Sequence, residues 1–173
     1  MLRYKTYLNL KCKTFKFELG LNILIPILYE NSEALVNEMI LYFKNSKSVK
    51  HHKDLFMYIT SPSAVLNDWD SPEKLSIHNN LICLIDGRHT NFMFMSAAEK
   101  LNFRMRLNEL SKKYNNLYLI FITDDYGYLS HNRCISIDNS RTARTFKSYS
   151  AYAKFLTRAD DDNQIKLSCD PEI

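Results

Sequence analysis

Three aspartates stand where an α/β protein keeps its chemistry. Asp86 closes the apolar run LICLID, and Asp124 with Asp125 closes NLYLIFIT. Carboxylates at the ends of neighbouring buried strands can bind Mg²⁺ and serve a nuclease or phosphohydrolase, with Glu99 or His89 assisting. The competing reading is structural. Aspartates at strand ends are ordinary turn formers, and Asp86 is placed to bond the turn Gly87-Arg88. No nuclease spacing is satisfied, so the turn reading is preferred and no metal, cofactor or catalytic residue is assigned.

Other reactive types are less well arranged. His51 and His52 are adjacent in KNSKSVKHHK and point in different directions, unlike a shared ligand pair. Cys12, Cys83, Cys134 and Cys169 are far apart with no C-x-x-C pair, which suggests neither a zinc site nor a disulfide framework; reduced thiols in a cytoplasmic protein are the simpler reading. Neither Ser130-His131 nor Cys83 with His78 is read as a nucleophilic system, because Cys83 falls mid-strand and no nucleophile–base contact is legible in the sequence.

Two basic groups suit an acidic surface. Lys44, Lys47, Lys50 and Lys53 fill the loop after a helix, and Arg133, Arg141, Arg144 and Lys147 flank Phe146 and Tyr149. Such mixtures can grip a nucleic-acid backbone or an acidic partner, although a charge run at a helix end is more often a solvated face. The net charge of +4, from 23 basic and 19 acidic residues, requires neither. Phe92, Met93, Phe94 and Met95 are consecutive, more apolar width than one helix face needs for a core, and they mark a candidate protein interface.

The elements that must position these residues follow from periodicity. LRYKTYLNLKCKTFKFEL alternates apolar and polar residues and predicts an antiparallel edge or hairpin. LNILIPIL predicts a buried strand closing at Pro26, followed by a helix from about Ser32 to Phe43. DLFMYIT, LICLID and NLYLIFIT predict three further strands, with a short helix or irregular connection around Pro62 and Trp69. MSAAEKLNFRMRLNELSKKYN predicts a long helix, with Ala97, Leu101, Met105 or Arg104, Leu107 and Leu110 at helical intervals. NRCISID, YSAYAKFLTR and NQIKLSCD supply the final strands. Strands alternating with crossover helices imply a three-layer α/β sandwich, a mostly parallel sheet with helices on both faces and antiparallel edge strands. The 173 residues, 46% hydrophobic, suffice for one domain with its own core. Charges interrupt every apolar stretch near the N-terminus, so neither a signal-peptide core nor a membrane span is read there.

This order of elements resembles the core of RecA-like ATPases over roughly residues 16–169. FELGLNILIPILYENSEALVNEMILYF looks like the strand, phosphate loop and first helix of that family, LICLID its acidic strand, and RMRLNELSKKYNNLYLIFIT its next helix and strand. The resemblance implies a RecA-like fold, with Asp86 at the magnesium-associated position, Thr60 or Ser61 where a catalytic glutamate is common, and Asp124 at a polar sensor position.

A working phosphate loop reads G-x-x-x-x-G-K-[ST]: glycines open a nest of N–H groups, lysine reaches the terminal phosphates and the hydroxyl holds magnesium. Here Pro26 and Asn31 stand at the glycine positions, Ser32 at the lysine and Glu33 at the hydroxyl. Glu30 and Glu33 suit a helix start but repel triphosphate, each at roughly 4 kcal/mol for a contact near 4 Å at an effective dielectric of about 20. Only three glycines occur in the whole chain, which also disfavours a phosphate cradle.

The expectation is a RecA-like domain without ATPase function, acting as a regulator or adaptor through a protein partner, either a RecA-like ATPase or a second copy of itself. It is similar in kind to the SOS cell-division inhibitor family and to the N-terminal module of a bacterial cellulose-secretion regulator. The rivals are a Mg-dependent hydrolase using Asp86, Asp124 and Asp125, and a nucleic-acid-binding module.

Overall fold

A computed structural model of the chain describes residues 2–6, 13–28, 32–45, 55–66, 80–124, 132–138, 143–147, 151 and 154. In chain order the elements are β1 (Leu2–Thr6), β2 (Lys13–Phe17), β3 (Gly20–Leu28), α1 (Ser32–Asn45), β4 (Leu55–Ile59), α2 (Pro62–Leu66), β5 (Leu81–Asp86), α3 (Thr90–Met93), α4 (Ala97–Lys113), β6 (Leu117–Ile122), β7 (Arg133–Asp138) and β8 (Ala143–Phe146).

LICLID and LYLIFI are buried at all six positions, as strands covered on both faces must be. They become β5 and β6, paired in parallel from Leu81 opposite Leu117 to Asp86 opposite Ile122. β3 runs parallel between β6 and β7, and β4 runs parallel outside β5. The sheet order is β4-β5-β6-β3-β7-β8, in which β8 pairs antiparallel with β7. β1 and β2 form a separate antiparallel pair. This is the α/β sandwich the sequence predicts.

Side chains alternate between the two faces of the sheet. Ile23, Ile25, Cys83, Ile85, Leu119 and Phe121 meet Phe103, Leu107 and Leu110 of α4 and Val65 of α2. Leu24, Ile82, Leu84, Ile120 and Ile122 meet Leu35, Val36, Met39 and Phe43 of α1. The crossover from β3 to β4 travels one way across the sheet and that from β5 to β6 the other; a constant right hand therefore puts α1 and α4 on opposite faces. α4 is started by a capping box: Ser96 Oγ accepts from the Glu99 N–H, and a Glu99 carboxylate oxygen accepts from the Ser96 N–H at 2.7 Å.

One buried polar group is fully accounted for. Asn22 donates to the Glu18 and Gly20 carbonyls, while its Oδ1 accepts from the Glu18 N–H and from Arg133 at 2.6 Å. This staples the entry of β3, where Gly20 adopts φ +90°, to β7.

Four expectations change. β3 does not close at Pro26 but continues to Leu28. Its pairing with β6 ends at Leu24, and the β7 register shifts between Ile25 and Leu28, so a residue lacking an N–H sits at an irregularity of the ladder. On α4 the core face is Phe103, Leu107 and Leu110, whereas Leu101 and Met105 are exposed at 45% and 52%; both sides of the helix carry apolar residues at helical spacing. In the segment YSAYAKFLTR, Ala151 and Lys154 are helical rather than extended. The strand after β7 is ARTF, too short and polar to show periodicity. NQIKLSCD and Trp69 lie outside the described residues.

Candidate functional site

The carboxyl edge of the parallel strands opens into a cavity of about 530 Å³. α1 contributes Glu33, Val36 and Asn37, β4 contributes Tyr58, and the end of β5 with the following turn contributes Asp86, Arg88, His89 and Thr90; Asp124 follows β6. Ligands of open α/β sheets bind at this edge.

Its centre is Asp86, 3% exposed. Oδ1 accepts from the Arg88 N–H at 3.2 Å and Nε at 2.8 Å, and Oδ2 accepts from Arg88 Nη2 at 2.8 Å and the Tyr58 hydroxyl at 3.3 Å. These bonds fill the acceptor capacity of a carboxylate. A fork-on-fork pair of this kind makes a buried charge tolerable.

Gly87 permits the arrangement. Its N–H donates to the Ile122 carbonyl at 2.7 Å, drawing the turn against the end of β6. A Cβ there would stand 2.5 Å from the Phe121 ring and 2.8 Å from the Ile122 carbonyl oxygen. With no side chain in the way, Arg88 folds back onto the aspartate two residues before it.

The electrostatics follow from this closure. Burial works to raise the Asp86 carboxyl, but the hydrogen bonds and charge of Arg88, helped by His89, bring it below its ordinary value. Arg88 is raised in turn by its bonds to Asp86. Tyr58 is raised by burial and by the Asp86 charge and hydrogen bond. Asp124 keeps an exposed surface, yet desolvation and the neighbouring Asp86 charge raise its carboxyl against the opposing pull of Arg88.

Of the residues anticipated here, Asp86, Asp124 and His89 share the cavity, while Asp125 lies outside the described residues. Glu99 is elsewhere, in the α4 cap and a second groove with Ser61, Leu66, Phe94 and Met95. Thr60 is half-buried and Ser61 faces that second groove. Among the described residues no group of three or more His, Cys, Asp or Glu is placed to hold a metal. A magnesium ion at Asp86 would have to displace Arg88. The expected bond from Asp86 to the Gly87-Arg88 turn is present, and the Arg88 guanidinium adds to it; Tyr58 was not singled out in the sequence and carried no signal there.

At the opposite end of the phosphate-loop comparison, only residues 29–31 separate β3 from α1. Pro26 to Leu28, half of the stretch aligned with the cradle, is strand. Glu33 is exposed on the first turn of α1.

The interface quartet divides. Phe92 is core, 4% exposed and edge-to-face with Phe103 at 5.3 Å, a correction to its place among the interface residues. Met95 is half-buried against the same core, and Met93 and Phe94 are exposed at 68% and 87%. Of the basic candidates, Lys44 is exposed at the end of α1, Arg144 lies on β8 opposite Ser136, and Lys147 is exposed. Lys47, Lys50, Lys53, His51, His52 and Arg141 lie outside the described residues.

Among the described residues no helix is long and apolar enough to cross a membrane. The chain matches no protein-family model, no curated protein and no solved structure.

Proposed function

We propose that the chain is a non-catalytic regulator or adaptor that works by binding another protein, on a RecA-like scaffold without a phosphate loop. The observation that carries this reading is the pair Met93 and Phe94, left 68% and 87% exposed directly after the core residue Phe92. An adaptable thioether beside an aromatic ring is the composition of protein-binding surfaces. The passage from β3 to α1 supports the non-catalytic half of the reading, because Pro26 and Asn31 stand where a phosphate loop has its glycines and Ser32 where it has its lysine. Asp86, closed onto Arg88 and Tyr58, supports it from the other side of the cavity.

The partner is a RecA-like ATPase or a second copy of this chain, and the setting is the cytoplasm, where the buried free thiols Cys83 and Cys134 are chemically at home. The test is retention of a stoichiometric partner on the immobilised chain, compared with Phe94→Glu and Met93→Glu. The expected result is loss of the partner in both variants with unchanged circular dichroism. ATP turnover by the purified chain that Asp86→Asn abolishes would overturn the reading.

A further inference from the structure

A groove of about 470 Å³ lies between α2 and the start of α4, and none of its lining residues belongs to the Asp86 cavity. Its apolar part is Leu66, Met95 and Phe94. Leu66 and Met95 pack against the core and give the groove a fixed base, while the Phe94 ring is 87% exposed. Its polar part is Ser61, Ser63 and Asn91. The two hydroxyls share one hydrogen bond at 2.7 Å, which leaves a proton and acceptor positions for a ligand.

Glu99 decides the sign of what can enter. The start of a 17-residue helix ordinarily attracts an anion. Here a carboxylate already occupies that place: Glu99 Oε2 accepts from the Ser96 N–H and from the Ser96 hydroxyl, both at 2.7 Å. Among the described residues Oε1 accepts nothing. The bonds from the Ser96 hydroxyl and N–H also hold the carboxyl below its ordinary value. Among the described residues Glu99 is the groove's single charge, so that charge is negative, fixed in direction by the cap and open on one oxygen.

We infer that this groove takes a short extended segment of a protein partner, with one apolar side chain against Leu66, Phe94 and Met95 and a lysine or arginine beside it on Glu99. The inference rests on the protein-binding reading above and names what that partner must present.

The lining selects this occupant on two grounds. A thioether and an aromatic ring adapt to an apolar side chain, and the open carboxylate oxygen attracts a cation and repels an acidic or phosphorylated segment. The hydroxyls of Ser61 and Ser63 and the Asn91 amide offer bonds to bare peptide groups, which an extended chain presents and a helix has already used. Alternate residues of an extended chain share a side. The cation therefore stands two positions from the apolar residue.

Panning a displayed random heptapeptide library on the immobilised chain tests this, with the enriched sequence then made as a labelled peptide and titrated by fluorescence polarisation. The expected consensus is a large apolar residue with lysine or arginine two positions away. Phe94→Ala should weaken the labelled peptide about tenfold. Glu99→Gln keeps the capping box, because glutamine serves there as glutamate does, and removes only the charge. It should weaken the peptide about fivefold and remove the loss of affinity on adding salt. Leu101→Glu, exposed on the other side of α4, should leave the affinity unchanged. No enrichment over the bare support, an acidic consensus, or equal affinity in Glu99→Gln overturns the inference. A partner protein retained through Phe94 alongside any of those results leaves the adaptor reading standing and this one refuted.

Discussion

The carboxyl edge of the sheet and the outer side of α4 treat their residues in opposite ways. At the edge, groups that look reactive in the sequence satisfy one another: the Asp86 carboxylate is filled by Arg88 and Tyr58. On α4, residues that look like ordinary core filling stay uncovered, Leu101 and Met105 among them. A charged residue at a customary catalytic position is weak grounds for chemistry when its neighbours already complete its hydrogen bonds. An apolar side chain of no reactivity is stronger grounds for binding when the interior has no place for it.

Substitutions can break this contrast, beginning with the largest effect. Phe103→Ala removes a ring packed against Phe92 and Phe121 and should cost about 4 kcal/mol in urea unfolding, whereas Phe94→Ala, two residues beyond Phe92, should cost less than about 0.5 kcal/mol. Comparable losses would mean that Phe94 is core after all. Asp86→Asn leaves the Arg88 guanidinium, 16% exposed, without its counter-charge and should cost about 3 kcal/mol by the same measurement. Gly87→Ala drives a methyl group into the Phe121 ring and should cost about 2 kcal/mol.

The smallest effects are in pH dependence, and the two aspartates of the cavity should differ in sign. Asp86 has a lowered value in the folded chain, so its contribution is complete above the unfolded carboxylate value and is lost as pH falls through the folded one. Asp124 is raised, so its contribution is complete below the unfolded value and is lost as pH rises through the folded one. Asp124→Asn should therefore raise the melting temperature slightly at neutral pH, with the gain vanishing in acid. A loss at neutral pH would show that the Asp124 charge is paired.

Most of the architecture was legible because strands buried on both faces leave unbroken apolar runs, as LICLID and LYLIFI do. The boundary at Pro26 was misread because a proline stops a regular ladder but not one whose neighbour has already ended at Leu24. α4 was identified correctly and its face only in part: Leu107 and Leu110 turn inward as expected, but Leu101-Met105 and Phe103-Leu107 have the same four-residue spacing, and only the sheet beneath decides which pair turns inward. At the edge, Asp86 and Asp124 were visible from strand ends alone. The bond from Asp86 to the Gly87-Arg88 turn was visible too, but the rest was not, because Tyr58 reaches Asp86 from the paired strand β4, and the return of the Arg88 guanidinium depends on a glycine turn whose tightness is set by Phe121.

The seat of β3 has a further consequence for how the chain matures. Residues 20–28 are synthesised well before both of their flanking strands, residues 117–122 and 133–138. The middle of the sheet therefore stays open until residue 138 has been made, and folding must wait for closures spanning about a hundred residues, which are slow. During that interval a bare apolar ribbon is exposed to aggregation. A fragment cut before residue 133 should remain a client of chaperones instead of folding unaided.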